Sequence, residues 1–318
     1  MRSQGGLPRS HDTLTPMPDK QTTQIQAPFG RLITAMVTPF KQDGAIDWDG
    51  VAKLAEHLAN NGHDAIAVNG TTGEAPTTKT SEKLEIIRVV KSTVGDRVKV
   101  LTGAGDNETA YTVEQSKRCA EVGADGLLIV TPYYNKPPQA GIEAHFRAVA
   151  AATDLPIMMY DIPGRTGVPI EEETICRLAE VKNIVALKDA KGNPASTSWV
   201  IARTGLPVYS GDDILNLPLL SVGAVGFVSV CGHTVGTELK AMLDAWFSGD
   251  AVTALKIHQQ LLPVFTGTFR TQGAILTKAA LNMMGLPGGF TRLPLVDATE
   301  AQIAQLREDL RQGGVVLN

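Results

Sequence analysis

One stretch decides the fold class of this chain: Asn183-Ile184-Val185-Ala186-Leu187-Lys188-Asp189-Ala190. Its run of four apolar residues is typical of a strand buried on both faces, as in a parallel sheet. A lysine stands where the apolar run ends. Burying a lysine costs free energy unless it is paired or gives up its proton, and the neutral amine can form a Schiff base with a carbonyl compound. From this stretch alone, a side chain that reaches from the strand end into water is the commoner explanation.

The same unit repeats eight times between Arg31 and about Ser248: a short apolar strand, a loop and an amphipathic helix. Besides the run that begins at Ile184, the predicted strands are Leu32–Val37, Ala65–Val68, Val98–Leu101, Gly126–Val130, Pro156–Tyr160, Leu206–Tyr209 and Val225–Val230. Alternating strands and helices indicate a parallel sheet, and eight such units close into a (β/α)8 barrel. A doubly wound sheet is the alternative, but no GxGxxG sequence lies between a strand and a helix.

The chain divides into three predicted parts. Residues 1–28 hold four prolines, many Thr and Gln and few large apolar side chains, which predicts a disordered N-terminal extension without the apolar centre of a secretory signal. Residues 29–248 form the predicted barrel. Residues 249–318 predict about three further helices, interrupted at Val264–Gln272 and Gly285–Pro294, that pack on the barrel as a C-terminal helical extension.

The composition excludes several classes of function. A net charge of −4 gives no electrostatic footprint for nucleic acid or for an anionic membrane, and no apolar run reaches transmembrane length. The three cysteines are widely spaced without a CxxC pair, which predicts a reducing, cytoplasmic location. The histidines lack metal-site spacing, and His57 and His63, at the end of a helix, are expected at the surface.

Polar residues follow several of the predicted strands. The carboxyl ends of all eight strands of such a barrel face one mouth, where catalysis takes place. The residues expected at this mouth are Thr71, Thr72, Tyr133, Tyr134, Tyr160, Arg165 and Lys188. Their convergence makes Lys188 a candidate nucleophile rather than an ordinary strand-end lysine.

From about Phe29 onward the chain resembles the pyruvate-dependent class I aldolase family of N-acetylneuraminate lyase and dihydrodipicolinate synthase. The motifs that carry the resemblance are Gly70-Thr71-Thr72-Gly73-Glu74, Tyr133-Tyr134, Tyr160 and Lys188, and those typical of the synthase branch are Thr131–Pro137, Gly164–Gly167 and Ser210–Asp213. The synthase branch implies condensation of pyruvate with L-aspartate-4-semialdehyde to 4-hydroxy-tetrahydrodipicolinate, in lysine and diaminopimelate biosynthesis. It implies no metal and no organic cofactor.

The resemblance also implies roles for four catalytic residues. Lys188 forms an imine with the keto carbon of pyruvate, and Tyr160 gives and takes protons there. Thr71 and Tyr134 complete a relay of hydroxyl groups, each of which can donate and accept. Tyr134 reaches in from a neighbouring subunit, which requires at least a dimer, and the family suggests a homotetramer built from dimers. Judged alone, Tyr160 fits a core aromatic equally well, and Tyr133 is expected to serve mainly in interface packing.

Substrate binding follows from the same resemblance. Thr72 and neighbouring backbone N–H groups hold the carboxylate of pyruvate, and Val228 contributes its carbonyl group. Arg165 binds the carboxylate of the second substrate, since a guanidinium matches a carboxylate with two parallel hydrogen bonds. The alternatives are local turn hydrogen bonds for the threonines and a solvated loop position for Arg165.

Two other functions stay open at this point. One is a retro-aldol lyase that releases pyruvate from a sugar acid or hydroxy-ketoacid through the same Schiff base. The other is a catalytically silent barrel kept for binding, against which the complete set of reactive residues argues. Feedback by lysine is predicted to be weak or absent, because Thr80, Lys83 and Tyr111 stand where lysine-inhibited relatives carry other side chains, and Lys83 repels a cationic ligand.

Overall fold

The computed structural model describes residues 26–318. The predicted disordered extension, residues 1–28, therefore lies outside the described part except for its last three residues. Those residues contact the barrel: Lys99 Nζ donates a hydrogen bond to Pro28 O at 2.7 Å, and Gly30 N donates to Ala27 O at 3.0 Å.

Eight parallel strands form a closed barrel in sequence order, with β1 paired to both β2 and β8. This confirms the (β/α)8 fold. The strands are β1 Leu32–Ala35, β2 Ala65–Val68, β3 Lys99–Gly103, β4 Gly126–Val130, β5 Ile157–Asp161, β6 Ile184–Asp189, β7 Val208–Ser210 and β8 Gly226–Ser229. Nearly all of their residues are buried, because the barrel interior covers one face of each strand and the helices cover the other.

Several strand limits differ from the predicted ones. The first strand ends at Ala35 rather than Val37, because Val37 N donates to the His233 ring at 3.1 Å and so leaves the ladder of the sheet. Strand β6 continues to Asp189, so Lys188 lies within the strand rather than at its end. Lys188 is in register with Tyr160 on β5 and with Tyr209 on β7. Side chains alternate between the two faces of a strand, and those of Ala186 and Tyr160 belong to the interior cluster of the barrel.

Twelve α-helices accompany the strands within residues 26–318. They are α1 Trp48–Asn60, α2 Thr80–Val94, α3 Thr109–Glu121, α4 Gln139–Ala151, α5 Pro163–Thr166, α6 Glu172–Leu178, α7 Pro194–Thr204, α8 Asn216–Ser221, α9 Gly232–Phe247, α10 Ala251–Thr268, α11 Gly273–Met283 and α12 Glu300–Gln312. Helix α1 shows why they form: Asp47 Oδ1 accepts from Gly50 N at the N-cap, and Val51, Leu54 and Leu58 turn one apolar stripe to the barrel.

The C-terminal segment contains three helices, as expected, but the predicted break that begins at Val264 is misplaced. Helix α10 continues through Pro263 to Thr268, so the first break is confined to residues 269–272, and the second, between α11 and α12, contains the predicted Gly285–Pro294. Apolar side chains of these helices share one buried cluster with Leu32 of β1 and Phe227 of β8. No helix within residues 26–318 is both long and apolar enough to cross a membrane.

His63 is buried, so its expected surface position is wrong. Its ring nitrogens are hydrogen-bonded to Thr34 Oγ1 at 2.7 Å and to Leu58 O at 2.9 Å. Burial lowers the pKa of His63 to about 4, so the ring is neutral at neutral pH. The ring completes the packing between the end of α1 and strand β1.

Candidate active site

A cavity of about 620 Å³ opens at the carboxyl end of the barrel. The loops that follow strands β2 to β5 form much of its wall, which is the position of catalytic sites in this fold. Of the residues predicted from sequence, the cavity wall contains Thr71, Tyr133, Tyr160 and Arg165.

Lys188 is only 4% exposed and is not itself part of the cavity wall, which it approaches through Tyr160. Its Nζ atom lies 4.0 Å from the centre of the Tyr160 ring. Gly211 leaves room for the lysine, because a Cβ atom at that position would lie 2.9 Å from Lys188 Cε and Cγ. The lysine is therefore held beside Tyr160 rather than extended into water.

Burial is the main cause of an altered acidity at Lys188. It lowers the pKa of the amine to about 7, and the positive charge of Arg165 acts in the same direction. The negative charges of Asp213 and Asp212 oppose this shift. A large share of Lys188 is thus neutral, and nucleophilic, near neutral pH.

The Tyr160 hydroxyl has the opposite property. Burial raises its pKa to about 12, so the group keeps its proton at neutral pH. A protonated hydroxyl on the tyrosine whose ring contacts the amine can donate a proton to an oxygen that leaves the reacting carbon.

Thr71 and Thr72 lie in a tight turn after β2. The turn is closed by two backbone hydrogen bonds, from Glu74 N to Thr71 O at 3.1 Å and from Ala75 N to Gly70 O at 3.2 Å. Both threonines are half-buried, and Thr71 is the one that lines the cavity.

The two adjacent tyrosines point to different places. Tyr133 lines the cavity and donates a hydrogen bond to Asp106 Oδ2 at 3.1 Å. Tyr134 is 87% exposed and has a left-handed backbone with φ 74°, held by a hydrogen bond from its N–H to Thr166 O at 3.3 Å. Within a single chain, Tyr134 is not part of the cavity wall.

Arg165 and Val228 lie in different elements of the barrel. Arg165 lies in the short helix α5, is exposed and lines the cavity. Val228 is buried in β8, in register with Ile33, and belongs to the interior cluster that includes Tyr160. Val228 is not part of the cavity wall.

Asp213 is a residue whose place in the site the sequence did not reveal. It is buried, and its Oδ1 atom accepts from Ser229 Oγ and from Asn216 Nδ2. Its Oδ2 atom accepts from the backbone N–H groups of Val230 and Cys231, each at 2.9 Å. The carboxylate thus holds the end of β8 and also places a negative charge near Lys188. The sequence feature that could have pointed to it is the pair Asp212 and Asp213, which follows β7, the strand next to the one that carries Lys188.

Three comparisons place the chain among known proteins. The profile of the "Dihydrodipicolinate synthetase family" matches residues 28–313. The "4-hydroxy-tetrahydrodipicolinate synthase 2" of Streptomyces coelicolor is 58% identical over 296 residues, which cover 93% of this chain and 99% of the relative. The 4-hydroxy-tetrahydrodipicolinate synthase of Acidothermus cellulolyticus is 58% identical over 294 residues, covering 92% of this chain and 96% of the relative.

The fold has a matching solved structure. The crystal structure of the dihydrodipicolinate synthase from Cyanidioschyzon merolae with lysine bound superposes with a TM-score of 0.90 at 47% identity. The match covers 92% of this chain and all of that one. The chain therefore belongs to the dihydrodipicolinate synthetase family.

Proposed function

We propose that this chain condenses pyruvate with L-aspartate-4-semialdehyde to give 4-hydroxy-tetrahydrodipicolinate, in diaminopimelate and lysine biosynthesis. The observation that carries the proposal is a buried lysine whose pKa is lowered to about 7, with its Nζ atom 4.0 Å from the Tyr160 ring centre. The names of two relatives at 58% identity support the choice of substrates.

The reaction begins with the neutral amine of Lys188. Lys188 attacks the keto carbon of pyruvate, and loss of water gives an imine. Loss of a methyl proton converts the imine to an enamine, whose carbon attacks the aldehyde of the second substrate. The amino group of that substrate then displaces Lys188 and closes the ring. Counted over the whole sequence, one water is released and the lysine is regenerated.

Proton transfer falls to Tyr160, Thr71 and Tyr134. Tyr160 holds its proton at neutral pH because burial raises its pKa to about 12, so it can protonate the departing hydroxyl at the imine carbon. Thr71 lies in the same cavity wall and passes the proton on. Tyr134 completes the relay toward solvent, from the neighbouring subunit.

Carboxylate recognition is divided between two groups. We assign the carboxylate of pyruvate to Thr72 and adjoining N–H groups of its turn, with the Val228 carbonyl as a further contact to the bound ketoacid. Arg165 is assigned the carboxylate of the second substrate, because it stands at the rim of the cavity, where that substrate enters.

The role of Tyr134 requires at least a dimer, and membership of the family supports a homotetramer built from dimers. A tyrosine that is 87% exposed is available to fill the site of a second copy. The test is mixed reassembly of two inactive variants, Lys188→Ala and Tyr134→Phe. Recovered activity supports donation across the subunit contact, and its absence in confirmed mixed oligomers counts against it. The three unpaired cysteines support a reducing compartment, the cytoplasm, as the location.

The function is tested by offering the enzyme two kinds of substrate. With pyruvate present, we expect consumption of L-aspartate-4-semialdehyde and no release of pyruvate from sugar acids or hydroxy-ketoacids. Arg165→Ala is expected to raise the KM of the semialdehyde by about tenfold or more, since one charge-assisted carboxylate contact is lost. Arg177→Ala, an exposed arginine paired with Glu143 away from the cavity, is the control. Turnover of the semialdehyde that is unaffected in Arg165→Ala would contradict the role of Arg165, whereas release of pyruvate from a sugar acid without condensation would favour the retro-aldol lyase.

A further inference from the structure

The turn that carries Thr71 and Thr72 ends at a residue in an unusual state. Glu74 closes the turn through its backbone N–H, yet it has a left-handed backbone with φ 56°. Its side chain is also 2% exposed overall, so the carboxylate is removed from water. A non-glycine residue in the left-handed region and a buried charge both cost free energy, so other groups must hold Glu74 in place.

Both carboxylate oxygens of Glu74 are held by the C-terminal segment. Oε1 accepts from Nζ of Lys278 on α11, and Oε2 accepts from the backbone N–H of Arg292 at 2.9 Å. Lys278 is likewise 2% exposed, and its Nζ also donates to Phe290 O at 2.6 Å. The ion pair is therefore shielded from solvent and joins the tail to the end of the turn.

Arg292 extends this contact beyond the turn. Its guanidinium group donates two hydrogen bonds to Glu82, at 2.9 and 2.7 Å. It also donates to Thr77 O at 2.9 Å and to Gly44 O at 2.7 Å. One tail arginine thus fixes both the segment after Glu74 and the start of helix α2.

Phe40 fills the space between the two tail cations. Its ring centre lies 4.3 Å from Lys278 Nζ and 4.2 Å from Arg292 Cζ. Phe290 N donates to Phe40 O at 2.9 Å, and Gly289 allows this approach because a Cβ there would lie 2.7 Å from the Phe40 backbone. The loop between α11 and α12 is therefore packed and hydrogen-bonded against the loop that follows β1.

A buried ion pair is a poor source of net stability, because desolvation of the charges offsets their attraction, and its best-attested use is to select one arrangement. We propose that the contact of Glu74 with Lys278 and Arg292 makes the C-terminal segment a positioning element of the active site, which fixes the turn that receives the carboxylate of pyruvate. This inference rests on the proposed function. Lys278 and Arg292 act through Glu74 and touch no substrate themselves.

The test is the double variant Glu74→Gln/Lys278→Met, which removes both buried charges and keeps side-chain volume. We expect a folded protein whose KM for pyruvate rises about tenfold or more, while kcat and the KM for the second substrate stay within about threefold. The matched control is Arg270→Gln/Asp309→Asn, which breaks an ion pair inside the tail, between the end of α10 and α12. Its KM for pyruvate is expected to be unchanged. A folded Glu74→Gln/Lys278→Met enzyme with an unaltered KM for pyruvate overturns the inference.

A milder variant decides the matter if the double variant fails to fold. Glu74→Asp keeps the buried charges balanced but shortens the side chain by one methylene, so the carboxylate cannot reach both Lys278 Nζ and the Arg292 N–H unless the turn moves. It is expected to raise the KM for pyruvate about threefold, and an unchanged value rejects the inference. Borohydride trapping of pyruvate by the wild-type enzyme distinguishes failure of the proposed function from failure of the positioning role alone. If the wild type traps no pyruvate on Lys188, the proposed function fails; if it does and KM is unmoved in the variants, only the positioning role fails.

Discussion

At the scale of single residues, the reactivity of Lys188 comes from where the barrel places it. The lysine side chain is inside the barrel mouth, beside an aromatic ring and away from water. Desolvation then disfavours the ammonium form more than the nearby carboxylates of Asp212 and Asp213 favour it, so the pKa falls to about 7. The proposed nucleophile is therefore prepared before any substrate is present.

The pH dependence of catalysis tests this directly. Because the neutral amine is the reactive form, kcat/KM for pyruvate is expected to rise with pH through a limb near pH 7. Arg165 lowers the pKa of Lys188, so Arg165→Gln should move the limb to higher pH, by up to about one unit. Arg177→Gln serves as the control. A limb that stays in place, or moves to lower pH, in Arg165→Gln would contradict the assigned charge effect.

Gly211 is predicted to be required for the position of Lys188. In Gly211→Ala the new Cβ would lie 2.9 Å from two carbons of the lysine, which must then shift. A displacement of this size at a reacting group is expected to lower kcat about 10- to 100-fold. Circular dichroism and the thermal midpoint should show an intact fold. Full activity in a folded Gly211→Ala enzyme would mean that the lysine has room the structure does not show.

At the scale of elements, the end of β8 and the start of α9 are joined to β1 and α1 by buried histidines. His233 accepts from Val37 N at 3.1 Å, so its other ring nitrogen carries the proton and donates to Val230 O at 2.7 Å. His63 occupies the neighbouring position against Thr34 and Leu58. Both rings are neutral in the fold, because burial lowers the pKa of His233 to about 3 and that of His63 to about 4.

These histidines predict acid sensitivity. Above pH 6.5 they are neutral in both folded and unfolded chains and contribute no pH dependence. As the pH falls from 6.5 toward 4, only the unfolded chain takes up the protons, so the free energy of unfolding drops by up to about 1.4 kcal/mol per pH unit for each histidine. Denaturant unfolding at pH 7 and pH 5 should show that His63→Gln loses less stability than the wild type over this interval. Equal losses would argue against a neutral His63.

Element boundaries also show what sequence could and could not predict. The eight apolar runs were enough to predict the barrel, because each buried strand is recognisable from its own run of apolar residues. The predicted end of a strand was wrong where a residue far away in sequence determines it. An example is Val37, whose N–H donates a hydrogen bond to His233. The burial of His63 was missed because its partner Thr34 lies on β1, far in sequence from the loop that carries His63. For the site, strand ends predicted the convergence on Lys188. The hydrogen bonds of Asp213 and the contact of Glu74 with Lys278 depend on segments far apart in sequence, which no local pattern reveals.

At the scale of the whole molecule, the barrel and the C-terminal helices share one buried cluster. Leu32 and Phe227 of the barrel pack with apolar residues of α10 to α12 in this cluster. We propose that residues 29–248 and 249–318 fold as a single unit, with the tail supporting the catalytic mouth. A tail that also fixes Glu74 connects stability of the whole chain to binding of pyruvate.

Regulation by lysine is a second property of the whole molecule. Thr80 Oγ1 is hydrogen-bonded to the Tyr111 hydroxyl at 3.0 Å, and Lys83 and Tyr111 both line the large cavity. The ammonium group of Lys83 disfavours a cationic ligand there, so at about 1 mM lysine we expect little loss of activity. Initial rates with increasing lysine check this, with Lys83→Gln as the companion variant. Strong inhibition of the wild type would contradict the prediction, and inhibition that appears only in Lys83→Gln would support it.

The Schiff base that we propose between Lys188 and pyruvate can be trapped by borohydride reduction and located by peptide mass mapping. The wild-type enzyme treated with pyruvate and borohydride should lose activity and carry a reduced pyruvate adduct on the peptide that contains Lys188. Lys188→Ala should carry none. An adduct on another lysine, or no adduct in an enzyme that still condenses pyruvate with the semialdehyde, would contradict the account.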